Sequence, residues 1–382
     1  MKPSATILYF ADQWDDKWRR RQQIALRLSM LPEVEKLFYV ELPLSLTSLI
    51  KLIFGKADKE STQRWERVFK EGFVFTHEKV TVITPLSVFP YFTKRALKGI
   101  NSAVVKKSIF NKLPKGFNPD IFWASLPFDA LWLKYFSCYK LIYDCSEQFS
   151  EFNNWADIRE KIIEWDEELT KKSDQVFVQT EYLKEIKASL NNNITVIPNA
   201  VDKNIFLPIA DGVKNDSLKE ITRPILGYVG SINYRLDIEL IKGIAEERSD
   251  WSIVMVGNNS LNVQIDWPKN VYFIPGMEYE KMSNIIASFD VCLLPHLANK
   301  LVDSESPIKL FDYLASGKPI VSQDLAGVRP YKEYVYLAKN KPQFISAIEK
   351  ALNEDNAIQA KRKVFGLTQN WDNRVKQIKE YL

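Results

Sequence analysis

Cysteine and histidine are scarce in this 382-residue chain: Cys138, Cys145 and Cys292 are the three cysteines, His77 and His296 the two histidines. An odd cysteine count without a Cys-x-x-Cys pair argues against a disulfide framework and a zinc site, and two histidines make a His-based metal centre a poor expectation. No run of eighteen apolar residues occurs. The amino-terminal MKPSATILYFADQWDD turns acidic after one short strand-like segment, so neither a spanning helix nor a signal peptide is expected. No low-complexity tract and no internal repeat of roughly 20 to 50 residues is visible, which removes solenoids and propellers. Excess charge of one sign is also missing. The net charge of +4 is modest and no recognition motif accompanies it, so nucleic acid is not an expected partner.

What is present is the composition of a globular protein, 46% apolar and 26% charged. Aromatic residues reach 13%, enough to suggest stacking surfaces or a membrane-facing flank. The length suits two domains of roughly 150 to 200 residues each. All the positive excess lies in the first half, where residues 1–200 carry 29 Lys or Arg against 25 Asp or Glu. Lys94, Arg95, Lys98, Lys106, Lys107, Lys112 and Lys115 concentrate it.

The second half alternates strand and helix: ILGYVGS, a helix from about Asp237, WSIVMVG, VYFIPG, a helix from about Tyr279, VCLLP, a further helix, PIVS and VYLA. Such alternation predicts a parallel sheet covered on both faces. The first half repeats the pattern more loosely through TILYF, LFYVEL, VTVITP, IFWASL, LIYDCS, QVFVQT and ITVIPN. The expected fold is therefore α/β, with two doubly wound Rossmann-like domains facing a cleft, since ligands bind at the carboxyl ends of such strands. Residues 1–205 form the first domain, 206–222 a linker rich in Lys, Asn, Asp and Gly, and 223–364 the second domain. Trp371, Val375, Ile378 and Leu382 share one helical face, so 365–382 is expected to cross back and bury that face on the first domain.

The most informative stretch is SPIKLFDYLASGKPIVS, Ser306 to Ser322. Ile308, Phe311 and Leu314 recur at helical spacing, Gly317 supplies a left-handed stop, and Pro319 forbids continuation. Lys309 and Asp312 share a face near the helix start. Free N–H groups and a positive dipole end favour an anion there, and a carboxylate one turn further in can accept from a ribose diol. That is the layout of a nucleotide diphosphate site. Gly227 and Gly230 follow the strand start of ILGYVGSINYR, where the second glycine either lets backbone approach a phosphate or merely serves a turn. Arg235 beyond them suits diphosphate oxygens, or else pairs with Asp237 or Glu239. Asp303 and Glu305 either cap the helix or reach a sugar ring. Asp144, ending LIYD, and Glu147 could orient or deprotonate an acceptor hydroxyl, or cap the next segment. The basic run over 94–115, with the nearby SLTSLIKLIFGK, reads either as a surface for anionic lipid or as an ordinary amphipathic helix.

Taken in order, WRRRQQIALRLS, YDCSEQFSEF, VFVQTEYL, VIPNAVDKNIF, GYVGSINYRLDIELI and SPIKLFDYLASGKPIVS resemble GT-B glycosyltransferases, similar to glycosyltransferase family four and its teichuronic-acid and capsule branch. The resemblance implies transfer of a sugar from a nucleoside diphosphate sugar, with UDP as the nucleotide, to a lipid-linked saccharide for a cell-surface polymer. It implies retention of configuration and a place in the cytoplasm on the inner face of the membrane. It assigns the diphosphate to Arg235 and Lys309 and the ribose to Asp312, where the family usually has Glu. Gly230, Ser231, Glu305, Ser306 and Ile308 complete the donor side, and Arg20, Gln22, Asp144 and Glu147 are the acceptor-side candidates. Asp144, Arg235 and Lys309 are the catalytic candidates. Ser304 stands where the family has the first of two glutamates, and neither histidine falls where many members have one. No Asp-x-Asp appears in a metal-holding place, so no cofactor or metal is expected, two cations serving instead. A nucleotide-sugar 2-epimerase and a non-catalytic partner subunit are the rival readings of the same layout.

Overall fold

A computed structural model of the chain describes residues 4–15, 19–90, 98–207, 216–261 and 264–382. Its first half contains β1 (Ala5–Phe10), β2 (Val34–Val40), β3 (Leu44–Ser45), β4 (Val74–His77), β5 (Val80–Ile83), β6 (Leu86–Ser87), β7 (Ile121–Ala124), β8 (Lys140–Cys145), β9 (Gln175–Val178) and β10 (Ile194–Val196). Eight of them form one sheet in the order β10-β9-β8-β7-β1-β2-β5-β4, while β3 and β6 pair apart. Its helices are α1 (Arg20–Ser29), α2 (Leu46–Ile53), α3 (Lys59–Glu71), α4 (Lys98–Phe110), α5 (Arg159–Lys172) and α6 (Glu181–Lys187). The second half holds β11 (Ile225–Val229), β12 (Ser252–Val256), β13 (Val271–Ile274), β14 (Val291–Leu294), β15 (Ile320–Gln323) and β16 (Tyr336–Ala338) in one parallel sheet, ordered β13-β12-β11-β14-β15-β16. Around it lie α7 (Lys203–Phe206), α8 (Ile238–Glu247), α9 (Tyr279–Ala287), α10 (Lys300–Ser304), α11 (Ile308–Ser316), α12 (Lys341–Leu352) and α13 (Asn356–Thr368), and α14 (Trp371–Lys379) ends the fold.

Both sheets are covered on two faces, as the continuous apolar strands require. Along β1, Leu8 and Phe10 enter one core with Phe38 and Phe122, while Ile7 and Tyr9 enter the opposite one with Leu37 and Trp123. The period of two recurs in β11, where Ile225 and Val229 face one core and Leu226 and Tyr228 the other. One strand departs from the parallel plan. β4 runs antiparallel to β5 as an edge hairpin, its turn carrying Glu78 at φ 50.

The connection between halves also differs from its compositional outline. Val201 and Phe206 are already buried in the core of the second sheet, as is Leu218 beyond the stretch. Residues 208–215 of the expected linker lie outside the described residues. The return path runs beside the outward one: Val201 N–H donates to the Gln369 carbonyl at 2.9 Å, and Trp371 N–H donates to the Val201 carbonyl at 3.2 Å. Trp371, Val375 and Ile378 of α14 then bury with Ile24 and Leu28 of α1 against the first sheet.

Of the basic run, Lys94 and Arg95 lie outside the described residues. Within α4, Val105 and Ile109 point into the first core, so part of the apolar content serves the fold. Ile100 and Phe110 stay exposed.

Candidate functional site

The carboxyl ends of the two sheets converge on a cleft of about 400 Å³. From the second sheet come Arg235 in the loop after β11, His296 after β14, and Glu305 to Lys309 at the start of α11. From the first come Asp12 after β1, Arg19 to Arg21 at the start of α1, and Ser146, Glu147 and Phe152 after β8. Gln179 and Asn199 line the cleft after β9 and β10.

Local chemistry fixes α11. Its end is set by Gly317, left-handed at φ 77, and its start by Pro307. Its first turn carries no acidic residue. Lys309 Nζ lies 3.4 Å from His296 Nε2 and 5.1 Å from the centre of the Tyr228 ring. Gly230, at φ 139, is required beside it: a Cβ there would sit 2.7 Å from Lys309 Cε.

Arg235 is not held by Asp237, whose carboxylate instead accepts from Leu240 N–H and caps α8. Its Nε donates to Glu305 Oε1 at 2.8 Å, and its guanidinium lies 5.3 Å from the Phe152 ring centre across the cleft. Burial pushes the Glu305 carboxyl up to about 7, Glu147 adds to the rise, and Arg235 and Lys309 pull against it. Burial likewise pushes Asp312 up to about 7 while the Tyr279 hydroxyl, donating at 3.0 Å, pulls the other way. Asp312 is buried one turn inside α11 and does not line the cleft.

Several sequence candidates have other employment. Asp144 is fully buried at the end of β8, and Arg20 donates to its carboxylate from Nε at 3.1 Å and Nη2 at 2.8 Å. A carboxylate so enclosed is not placed to orient or deprotonate an acceptor hydroxyl, which corrects that expectation for Asp144. Arg20 lines the cleft but is itself held, its Nη1 donating to the Ile197 carbonyl. Gln22 is buried and caps α1, accepting from Arg19 N–H. Ser231 is exposed, its carbonyl accepting from the Tyr228 hydroxyl, and neither it nor Gly230 lines the cleft. Glu147, Glu305, Ser306, Ile308, Lys309 and Arg235 all do.

Ser304 and Ser306 join the two halves. Gln148 N–H donates to Ser304 Oγ at 2.9 Å, and Ser306 N–H donates to Gln179 Oε1 at 2.9 Å. Asn199 Nδ2 donates to the Ser306 carbonyl at 2.5 Å. Sequence reasoning assigned no role to Gln179 or Asn199, although both stand in the quoted VFVQT and VIPNA segments just past strand ends. It also passed over Arg19, Arg21, Asp12 and His296. Arg21 spans the first-sheet loops, donating to Asp12 Oδ2 at 3.0 Å and Ser146 Oγ at 2.9 Å. Among the described residues no cluster of His, Cys, Asp and Glu is placed to hold a metal ion.

Residues 223–354, the strand and helix alternation that carries Arg235 and Lys309, match the family glycosyl transferases group 1. The chain is a GT-B glycosyltransferase. It is 26% identical over 281 residues to the putative teichuronic acid biosynthesis glycosyltransferase TuaH of Bacillus subtilis, covering 68% of this chain and 70% of that protein. In fold the glycosyltransferase resembles sucrose-phosphate synthase from Thermosynechococcus elongatus, with TM-score 0.73, 13% identity, and 99% and 98% of the two chains covered. Anabaena HepE, solved in complex with UDP and glucose, aligns with TM-score 0.67 and 12% identity over 99% of each chain.

Proposed function

We propose that this group 1 glycosyltransferase takes a sugar from a nucleoside diphosphate, UDP by preference, and adds it to a lipid-linked saccharide in the assembly of a cell-surface polysaccharide. One observation carries the reading: Arg235, from the loop after β11, and Lys309, in the first turn of α11, line one cleft with the amino end of that helix. Cleaving the bond to the diphosphate builds negative charge on the leaving phosphate. Fixed cations and helix N–H groups act where that charge develops. Glu305 and Ser306 lie on the sugar side, and Asp312, one turn behind the cleft lining and engaged by the Tyr279 hydroxyl, is the ribose candidate once that turn opens to the nucleotide. The relative named for teichuronic acid biosynthesis and the structural neighbour holding UDP and glucose support donor and pathway class.

With Asp144 engaged by Arg20, no side chain needs to serve as the acceptor base. The departing diphosphate removes the acceptor proton on the face it leaves, which retains configuration. Arg235 and Lys309 supply the positive charge a metal would otherwise bring. The two halves enclose the donor and exclude water, which limits its hydrolysis.

Among the described residues no helix is long and apolar enough to cross a membrane. We place the enzyme on the inner face of the membrane through the α4 region and the end of α2, where Ile50, Ile53 and Phe54 are exposed beside Lys51 and Lys56. Incubating the enzyme with labelled UDP sugars, membrane extract and EDTA tests the proposal. Label should enter the lipid fraction with the donor's anomeric configuration. Epimer formation without acceptor, loss of transfer in EDTA, or no transfer from any nucleotide sugar would each refute its corresponding part.

A further inference from the structure

His296 lines the donor side of the cleft, and the donor reading leaves it without a task. It follows β14, is 4% exposed, and lines the same cavity as Arg235 and Lys309. An ammonium has only protons to give, so in the 3.4 Å contact Lys309 donates and His296 Nε2 accepts. The ring proton of the neutral imidazole must then sit on Nδ1. That Nδ1 has no hydrogen-bond partner among the described residues. A buried donor without an acceptor is a cost that a ligand oxygen would relieve.

The groups around the ring favour an anionic oxygen. Lys309 comes from α11 and Arg235 from the loop after β11, and the backbone of neighbouring Leu236 pairs with that of His296. Tyr228 of β11 meets the ring at 5.9 Å between centroids. Of the carboxylates that line the cleft beside these cations, Glu305 is paired to Arg235, and Glu147 comes from the loop after β8. Burial holds the imidazole well below its usual range, and the two cations push it further down, so the ring is neutral at pH 7 in the empty cleft. An anion seated between those cations offsets their field.

We propose that His296 is a donor-binding residue: its Nδ1–H donates to a diphosphate oxygen of the nucleotide sugar, and entry of that anion draws a solvent proton onto Nε2. The inference rests on the cleft being the donor site. As the ring becomes an imidazolium, Nε2 changes from acceptor to donor and releases Lys309 toward the same diphosphate. Donor binding is therefore flat above the bound-state midpoint and tightens as pH falls through it toward the lower midpoint of the free ring.

Ring-nitrogen NMR reads this directly, because the chain has two histidines and His77→Gln leaves one. Without nucleotide, the remaining ring should show a protonated Nδ1 and a bare Nε2. Saturation with UDP should protonate both nitrogens and raise the titration midpoint by about 1 to 3 pH units. In calorimetry, His296→Ala should weaken UDP binding roughly ten- to a hundredfold. His296→Asn, which places an amide N–H near the Nδ1 position, should restore most of the affinity and remove the histidine's share of the pH dependence. If UDP binds with normal heat while the ring pattern stays unchanged, or if the free ring carries its proton on Nε2, the histidine assignment is wrong and the donor site stands. If neither UDP, GDP nor ADP gives heat, the donor-site reading falls and this inference with it.

Discussion

Replacing Gly230 by alanine should silence the donor site while leaving the fold standing. Gly230 adopts φ 139, a region L residues avoid, and an added Cβ would meet Lys309 Cε at 2.7 Å and Nζ at 3.2 Å. The backbone strain costs about 1 to 3 kcal/mol. The steric part is resolved cheaply, since the obstructing atoms are the far end of a flexible side chain. Lys309 swings away and its charge leaves the cleft. Loss of one such electrostatic group is worth about 2 to 4 kcal/mol in the transition state, roughly a thirty- to thousandfold fall in kcat/KM for the donor. Thermal unfolding should drop by less than about 10 °C. Gly257→Ala is the contrasting control: its Cβ would lie 1.9 Å from the Gly230 carbonyl oxygen, backbone against backbone, at φ 152. That variant should lose more than about 4 kcal/mol of stability. A folded Gly230→Ala enzyme with kcat/KM within threefold of the parent would refute the placement of Lys309 at the reacting diphosphate. Equal melting temperatures for the two variants would refute the steric reasoning.

Arg235→Ala should cost about 2 to 4 kcal/mol in kcat/KM for the donor; unchanged turnover would reject its assigned role. Asp312 has a folded pKa of about 7 against an ordinary 3.8, so the folded state holds the extra proton between those values. Its contribution is greatest below about pH 4, declines as pH rises to about 7, and is flat above. Asp312→Asn should therefore gain stability relative to the parent across that window, by at most about 1.4 kcal/mol per pH unit, in denaturant titrations at several pH values. A pH-independent difference would contradict the burial argument. Ile53→Ser with Phe54→Ser should reduce sedimentation with anionic vesicles without changing the melting temperature, because both side chains are exposed. Undiminished sedimentation would remove the end of α2 from the membrane surface.

The second half was legible because each of its strands is an apolar run bounded by a turn residue, and because Gly317 and Pro319 punctuate α11 in a way few other conformations allow. The β4 hairpin escaped notice for the opposite reason. Its Glu78-Lys79 turn lacks the Asn-Gly or Asp-Gly signal, and Glu78 bears the positive φ itself. In the site, Arg235 and Lys309 could be read from their places beside a glycine turn and a helix start. Asp144 could not: a strand-end carboxylate looks the same whether it faces an acceptor or an arginine 124 residues away. The hydrogen bonds that link Ser306 to Gln179 and Asn199 are equally silent in sequence, since they join loops of two different sheets. His296 belongs to no motif, and its meaning depends on which cations the fold brings beside it. The run over 94–115 left two readings open because alternating lysines and apolar residues suit a lipid surface and a sheet-covering helix alike. The burial of Val105 and Ile109 gives one face of α4 to the sheet, and the exposed Ile100 and Phe110 leave its other face for lipid.

The interleaving of Val201 with Asn370 and the seating of α14 against α1 carry a consequence for biosynthesis. The amino-terminal core contains Trp371, Val375 and Ile378, which leave the ribosome after the strands of both sheets. Until they arrive, the face formed by Ile7, Tyr9, Ile24 and Leu28 stays uncovered, however completely its own strands have paired. The lobe made first is thus finished last, and a nascent chain stalled before Trp371 would present a sticky half-product to chaperones.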